Sequence, residues 1–260
     1  MKRYCILSLL FALSLLAGCA TAPETVPTAL ELYEEAQELH NTARYGDADA
    51  KFEELKSTYP TSPQAQQAIL DQIYGYLKRR EYALAVSTAD EFINLYPDHP
   101  QTPYALYMKG VVYFREDRGI LDKLGKQDPT SRDPQLMRLS YQAFKELLNS
   151  YPESKYTPDV VARLRYLINS LAKSEMHIAN YYYQQGAYVA AITRVKTILE
   201  IYSDSNSTEA ALVLLLNSYK RIGAIDAADD TLRLIKVNFP DNAEITGEIS
   251  STDSFIPSLW

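Results

Sequence analysis

The chain has 260 residues, 47% of them hydrophobic, which is enough to bury a sizeable core. Its net charge of −7 argues against a general nucleic-acid binder, because phosphate binding needs a basic footprint. The two cysteines, Cys5 and Cys19, both lie in the first twenty residues, so the rest of the chain is expected to hold neither a disulfide nor thiol chemistry.

Residues 1–18 read as a targeting segment that is removed. Lys2 and Arg3 supply a positive end, and 6–16 is an apolar run broken only by Ser8 and Ser14. That run is shorter than the about 20 apolar residues a spanning helix needs. Leu16-Ala17-Gly18-Cys19 resembles a bacterial lipobox. This implies cleavage before Cys19, acylation of Cys19, and stable anchoring by several acyl chains, which one chain would not give. Ala20 follows, where an aspartate would resemble an inner-membrane retention signal, so the periplasmic face of the outer membrane is the expected location. Residues 19–27, with Pro23 and Pro27, form a short lipidated tether without periodicity.

A helix is expected from Thr28, an acceptable N-cap, through Leu32, Ala36 and Leu39 to about Ala43. Gly46-Asp47 then reads as a turn into the stretch 45–60, YGDADAKFEELKSTYP, which the chain repeats. Counted back from Pro60, Ala48, Phe52, Leu55 and Tyr59 stand twelve, eight, five and one places earlier. Ala85, Ala89, Phe92 and Tyr96 do so before Pro97, and Ser140, Phe144, Leu147 and Tyr151 before Pro152. Ala191, Val195, Ile198 and Tyr202 precede Ser203, and Ala228, Leu232, Ile235 and Phe239 precede Pro240. These places lie on one face of a helix, which the proline then stops. Each copy is preceded by another helical stretch: Ile69, Ile73, Tyr76 and Leu77 after Pro63, and Leu106, Met108, Gly110 and Tyr113 after Pro103. The steps of 37, 55, 51 and 37 residues compare with about 34 for a tetratricopeptide repeat (TPR). The pattern resembles an all-α, TPR-like helical solenoid of about five helix-turn-helix repeats over 28–240, with extra length in the third and fourth units.

Two departures stand out. Residues 116–133, EDRGILDKLGKQDPTSRD, interrupt the third repeat as a charged loop with at most a short helix at 120–124. Residues 159–185 contain neither glycine nor proline, and so predict one helix of about 40 Å, which joins an N-terminal half (28–157) to a C-terminal half (158–240). Gly186-Ala187 turns it into the fourth copy. Beyond Pro240, 241–260 is a polar tail ending in Phe255-Ile256-Pro257-Ser258-Leu259-Trp260. It lacks strand alternation, and Pro257 argues against strand pairing. A docking peptide for a partner is the lesser alternative there.

Several stretches together carry a family resemblance. They are Leu171-Ala172-Lys173, Glu175, residues 179–182, Gly186-Ala187-Tyr188-Val189-Ala190 and Thr193-Arg194-Val195. The lipobox, Tyr107-Met108-Lys109-Gly110 and Arg132-Asp133-Pro134-Gln135 complete the set. The mature chain to about Pro240 resembles the BamD (ComL) family, lipoproteins of the β-barrel assembly machinery. The resemblance implies that the C-terminal repeats and the long helix grip a periplasmic POTRA domain of BamA and help hold other Bam lipoproteins. It also implies that an N-terminal groove receives unfolded outer-membrane β-barrel proteins. Arg194 matches a family position at the BamA contact, with Tyr181, Tyr182 and Tyr188 as neighbours. The position alone also fits a solvated arginine or an internal helix–helix salt bridge, and any of the tyrosines could be buried in the stack. For the client groove the candidates are Tyr74 and Tyr76. The family's aromatic turn after the first Tyr-Pro is replaced here by Thr61-Ser62-Pro63-Gln64.

No enzyme is expected. His40, His99 and His177 fall in different repeats, without partners at metal-ligand spacing. There is neither a phosphate loop nor a nucleophile motif. No catalytic residue, metal or cofactor follows beyond the lipid on Cys19. A periplasmic TPR scaffold for envelope division or peptidoglycan coordination is the competing reading.

Overall fold

Ten helices occupy the described residues, 26–116 and 134–241 of a computed structural model. Residues 1–25, Cys19 among them, and the stretches 117–133 and 242–260 lie outside the described residues. The leader, the lipidation site and all but the edges of the tether, insertion and tail are therefore not characterised structurally. The helices are α1 Ala29–Asn41, α2 Tyr45–Thr58, α3 Pro63–Arg79, α4 Tyr82–Leu95 and α5 Thr102–Glu116. They continue as α6 Gln135–Ser150, α7 Thr157–Gln184, α8 Tyr188–Ile201, α9 Thr208–Ile222 and α10 Ile225–Asn238. The chain forms two compact units, Met1–Ala68 and Ile69–Trp260, the boundary falling inside α3.

In the first unit α1 opens on a capping box. The Thr28 hydroxyl accepts the Glu31 N–H at 3.2 Å, while Glu31 accepts the Thr28 N–H at 2.7 Å. Leu32, Ala36, Ala48, Phe52 and Leu55 form the core between α1 and α2. In the second unit each helix from α4 to α9 packs on its successor, and α7 also meets α9. That pattern of antiparallel hairpins stacked on their neighbours is the one the periodicity predicts. The repeated positions are its core: Ala85, Ala89, Phe92, Ser140, Phe144, Leu147, Ala191, Val195 and Ile198 are all sealed from solvent.

Two turn designs recur. Between the helices of a hairpin, one residue takes the left-handed conformation: Ala43 (φ 60°), Arg80 (φ 63°), Gly186 (φ 75°) and Gly223 (φ 73°). The next residue's N–H then reaches back over the helix end, as in Arg44 to the Leu39 carbonyl, Glu81 to Tyr76 and Ala187 to Tyr182, each 2.9 Å. The turn of the first hairpin is accordingly Thr42-Ala43-Arg44. Gly46 and Asp47 lie inside α2, so the expected turn at Gly46-Asp47 is corrected. Glycine is the cheapest left-handed residue, but here alanine bears that strain, and the Thr42 hydroxyl, donating to the Glu38 carbonyl at 2.9 Å, helps hold it.

Between hairpins, the aromatic residue before the proline leaves helical geometry at nearly constant angles. Tyr59, Tyr96, Tyr151 and Phe239 have φ of −132°, −133°, −137° and −138°. A following proline disfavours helical geometry at its predecessor, and Tyr202, before Ser203, takes a similar φ of −123° without one. A hydroxyl near the start of the next helix then donates back across the turn: Thr102 to the Tyr96 carbonyl at 2.7 Å, Thr157 to Pro152 at 2.9 Å and Thr208 to Ser203 at 2.6 Å. α7 spans 28 residues, so the long helix expected from the glycine- and proline-free run is present, two residues earlier at its start.

Candidate functional site

The fourth hairpin is built around a buried carboxylate. Glu175 falls four residues after Leu171 on the packed face of α7 and is only 3% exposed. Arg138 from α6 donates to its Oε1 at 3.0 Å, and Arg194 from α8 to its Oε2 at 3.3 Å. The two guanidinium side chains remain 40% and 39% exposed. One carboxylate thus ties three consecutive helices together, each oxygen held by a separate arginine. Tyr202 lies beside the clamp. Burial pushes its phenol above the ordinary value, and the Arg138 charge acts against that shift.

Arg194 is therefore an internal pairing residue, the arrangement its position on the stripe edge had left open. Its outward part is still at the surface. Tyr181 is 59% exposed, and Val189, across the Gly186 turn, 67%. Tyr182 is half-buried and meets Tyr181 edge-on at 5.9 Å. Tyr188 is half-buried against Tyr183, ring centroids 5.3 Å apart, so it serves the hairpin's own packing. Of the four residues expected at a partner contact, Tyr181 presents the largest free ring.

A second surface lies on α5 and α7. The Tyr107 hydroxyl donates to Asp159 Oδ2 at 2.9 Å, and Arg163 Nε donates to the same oxygen at 2.6 Å. Arg163 holds the Asp159 carboxyl below its ordinary range, opposed by burial and helped by Tyr107. Tyr107 stacks on Tyr156 at 4.6 Å, and Tyr104 tilts against Tyr156 at 5.9 Å. Arg163 lies over Phe114 at 5.0 Å, and Tyr166 meets Phe114 edge-on at 5.6 Å. Burial, followed by the Asp71 charge, pushes the Tyr104 phenol upward, so it stays neutral. Tyr74 is half-buried and packs on the same core cluster as Tyr104 and Tyr107, with the Lys78 ammonium 4.9 Å from its ring centre. Tyr76 is 9% exposed and clusters with Ala85 and Val112. It follows Ile73 by three residues and so joins the packed face, which removes it from the groove candidates. The Asp159–Arg163 spacing of four was the sequence signal for this surface; the rings that complete it come from another helix.

His99 Nδ1 accepts the Gln101 N–H at 3.1 Å in the turn before α5, and its ring meets Phe92 edge-on at 5.3 Å.

A family model described as an outer membrane lipoprotein (YfiO) matches residues 27–234, almost the whole described solenoid. The chain belongs to that family. It is 41% identical over 216 residues to "Outer membrane protein assembly factor BamD" of Neisseria gonorrhoeae, covering 83% of this chain and 81% of that protein. With the protein of the same name from Vibrio cholerae it shares 35% identity over 238 residues, covering 91% and 99%. Among solved structures, a tetratricopeptide repeat protein from Parabacteroides merdae aligns over 87% of this YfiO-family chain and 84% of its own, at 13% identity and a TM-score of 0.42.

Proposed function

We propose that this YfiO-family lipoprotein is a non-enzymatic assembly factor for outer-membrane β-barrel proteins. It is held at the periplasmic face of the outer membrane by lipid on Cys19 and works without a cofactor, by binding and positioning. The observation that carries this reading is the similarity to proteins named outer membrane protein assembly factor over four-fifths or more of their length. Its partners in this reading are a POTRA domain of BamA, further Bam lipoproteins and unfolded barrel clients.

The C-terminal hairpins are the proposed BamA-binding part. Tyr181 and Val189 supply apolar contact at the hairpin tip, and tyrosine is a frequent hot-spot residue. The outward edge of Arg194, whose side chain is 39% exposed, is available to a partner carboxylate. The Glu175 clamp makes Arg194→Glu a poor probe of that contact, because it would set two carboxylates against one arginine. Exposed apolar residues are better probes. The aromatic strip from Tyr74 and Tyr104 to Tyr107 and Tyr156 is the proposed client surface, where flat rings can receive the apolar side chains of an extended peptide.

The test is a detergent pull-down of the tagged chain from its own membranes, probed for BamA, beside Tyr181→Glu/Val189→Glu. Wild type should recover BamA and the double variant at least about tenfold less, with unchanged helical circular dichroism. Undiminished recovery by the variant would move the contact away from this tip. Failure of the folded wild type to recover BamA would defeat the reading.

A further inference from the structure

The last helix breaks a rule that the other four copies keep. Counted back from the turn residue, the sixth and third places hold polar residues, all exposed except the half-buried Thr197. They are Glu54 and Ser57 in α2, Glu91 and Asn94 in α4, Glu146 and Asn149 in α6, and Thr197 and Glu200 in α8. In α10 the same places hold Leu234, 52% exposed, and Val237, 79% exposed. Two places that are polar in every other copy are thus apolar in the last, whereas the exposed apolar residues of α4 and α8, Leu95 and Ile201, stand two places before the turn.

This is not a missing next repeat. The places that meet the following hairpin are the eleventh and fourth before the turn. They hold Val86 and Ile93, Tyr141 and Leu148, and Ile192 and Leu199 in the second to fourth copies, all at least half-buried, and the half-buried charged residues Asp49 and Lys56 in the first. In α10 they are Asp229 and Lys236, both exposed. A polar end face closes a repeat array. Stacking of a second copy on that end would bury both charges, which disfavours it.

We infer that the Leu234–Val237 face is covered by this chain's own C-terminal segment, through the apolar residues Phe255, Ile256, Leu259 and Trp260. Three observations select this occupant. First, the segment begins beside the face. The eighteen residues from Val237 to Phe255 span up to about 60 Å, against about 21 Å for the whole of α10. The contact is therefore intramolecular, at a high effective concentration. Second, residues 241–260 contain no lysine or arginine but carry Asp241, Glu244, Glu248 and Asp253. The apolar pair is flanked by exposed Arg233, which pairs with Asp230, and by exposed Lys236. The acidic residues of α10, Asp226, Asp229 and Asp230, lie toward its other end. Third, the family-model match ends at residue 234, where the apolar pair begins.

Trp260 is the only tryptophan, so its fluorescence reports on the segment alone. The measurement is acrylamide quenching of the mature chain carrying Cys19→Ala, which dispenses with detergent, beside the same chain with Leu234→Glu/Val237→Glu. Both positions are exposed, so circular dichroism should be identical in the two. Trp260 should be shielded in the parent, and the quenching constant should rise at least threefold in the variant, with a red-shifted emission maximum. Quenching of the parent as free as that of a tryptophan amide, or equal quenching in both chains, would overturn the inference. So would shielding that disappears on dilution, because the occupant would then be a second copy. The result is independent of BamA capture.

Discussion

Replacing Arg138 and Arg194 together by alanine is expected to lower the unfolding free energy by about 3–5 kcal/mol, the cost of leaving a buried carboxylate without partners. Glu175 is almost fully enclosed, and the two arginines are its hydrogen-bonding partners, one on each oxygen. Either single replacement leaves one arginine in place, so each should cost only about 1–2 kcal/mol. The double variant should therefore lose more than the sum of the singles, as coupled neighbours do. Adding Glu175→Met to the double variant should recover most of the loss, since an apolar residue of similar volume needs no partner at that depth. Urea unfolding followed by circular dichroism measures all four chains. Additive singles with no rescue would mean that the arginines act through packing instead of through the carboxylate.

The second large effect is expected at Gly110. A Cβ added there would lie 2.4 Å from Phe144 Cε1 and 2.6 Å from Cδ1, well inside contact distance. Neither side can yield easily. The Phe144 ring is fully buried, and the Gly110 carbonyl is fixed by the Ser140 hydroxyl at 2.9 Å. Here the α5 backbone packs directly against a ring of α6 in the third hairpin's core. Gly110→Ala should cost about 2–3 kcal/mol by overpacking. Phe144→Leu in the same chain should return part of it, although Phe144→Leu alone destabilises by opening a cavity. A thermal midpoint for Gly110→Ala equal to that of wild type would show that the two helices separate without penalty.

Most of the architecture was legible because the chain reuses one solution. A small residue, two apolar ones and a closing aromatic, spaced by helical turns and followed by proline or, once, by Ser203, fall on one face in every copy, and the structure buries or half-buries them all. The long α7 was legible for a simpler reason: nothing in 159–185 stops a helix. What was hidden depended on pairing between distant residues. Glu175 was visible as one member of a motif, yet a charged residue four places after Leu171, in line with Leu164 and Leu167, was already a signal of a buried pair. Its partners, 37 residues before and 19 after, follow only once the hairpins are stacked. Tyr76 was legible as part of the stripe with Ile69, Ile73 and Leu77, and its burial there leaves Tyr74 as the groove candidate on α3. The first turn was misplaced because Ala43 accepts a conformation that glycine would hold more cheaply. Solvent-facing Leu234 and Val237 become informative only when aligned with the polar residues of the other copies.

The most direct test of the central claim is depletion of this protein in its own bacterium, followed by measurement of correctly folded β-barrel proteins in the outer membrane. An assembly factor predicts a several-fold fall in folded, heat-modifiable barrels, with unfolded precursors in the periplasm and recovery on re-expression of the wild type. Unchanged levels of folded barrels, with defects confined to septation or peptidoglycan, would contradict the account and assign the solenoid to envelope scaffolding.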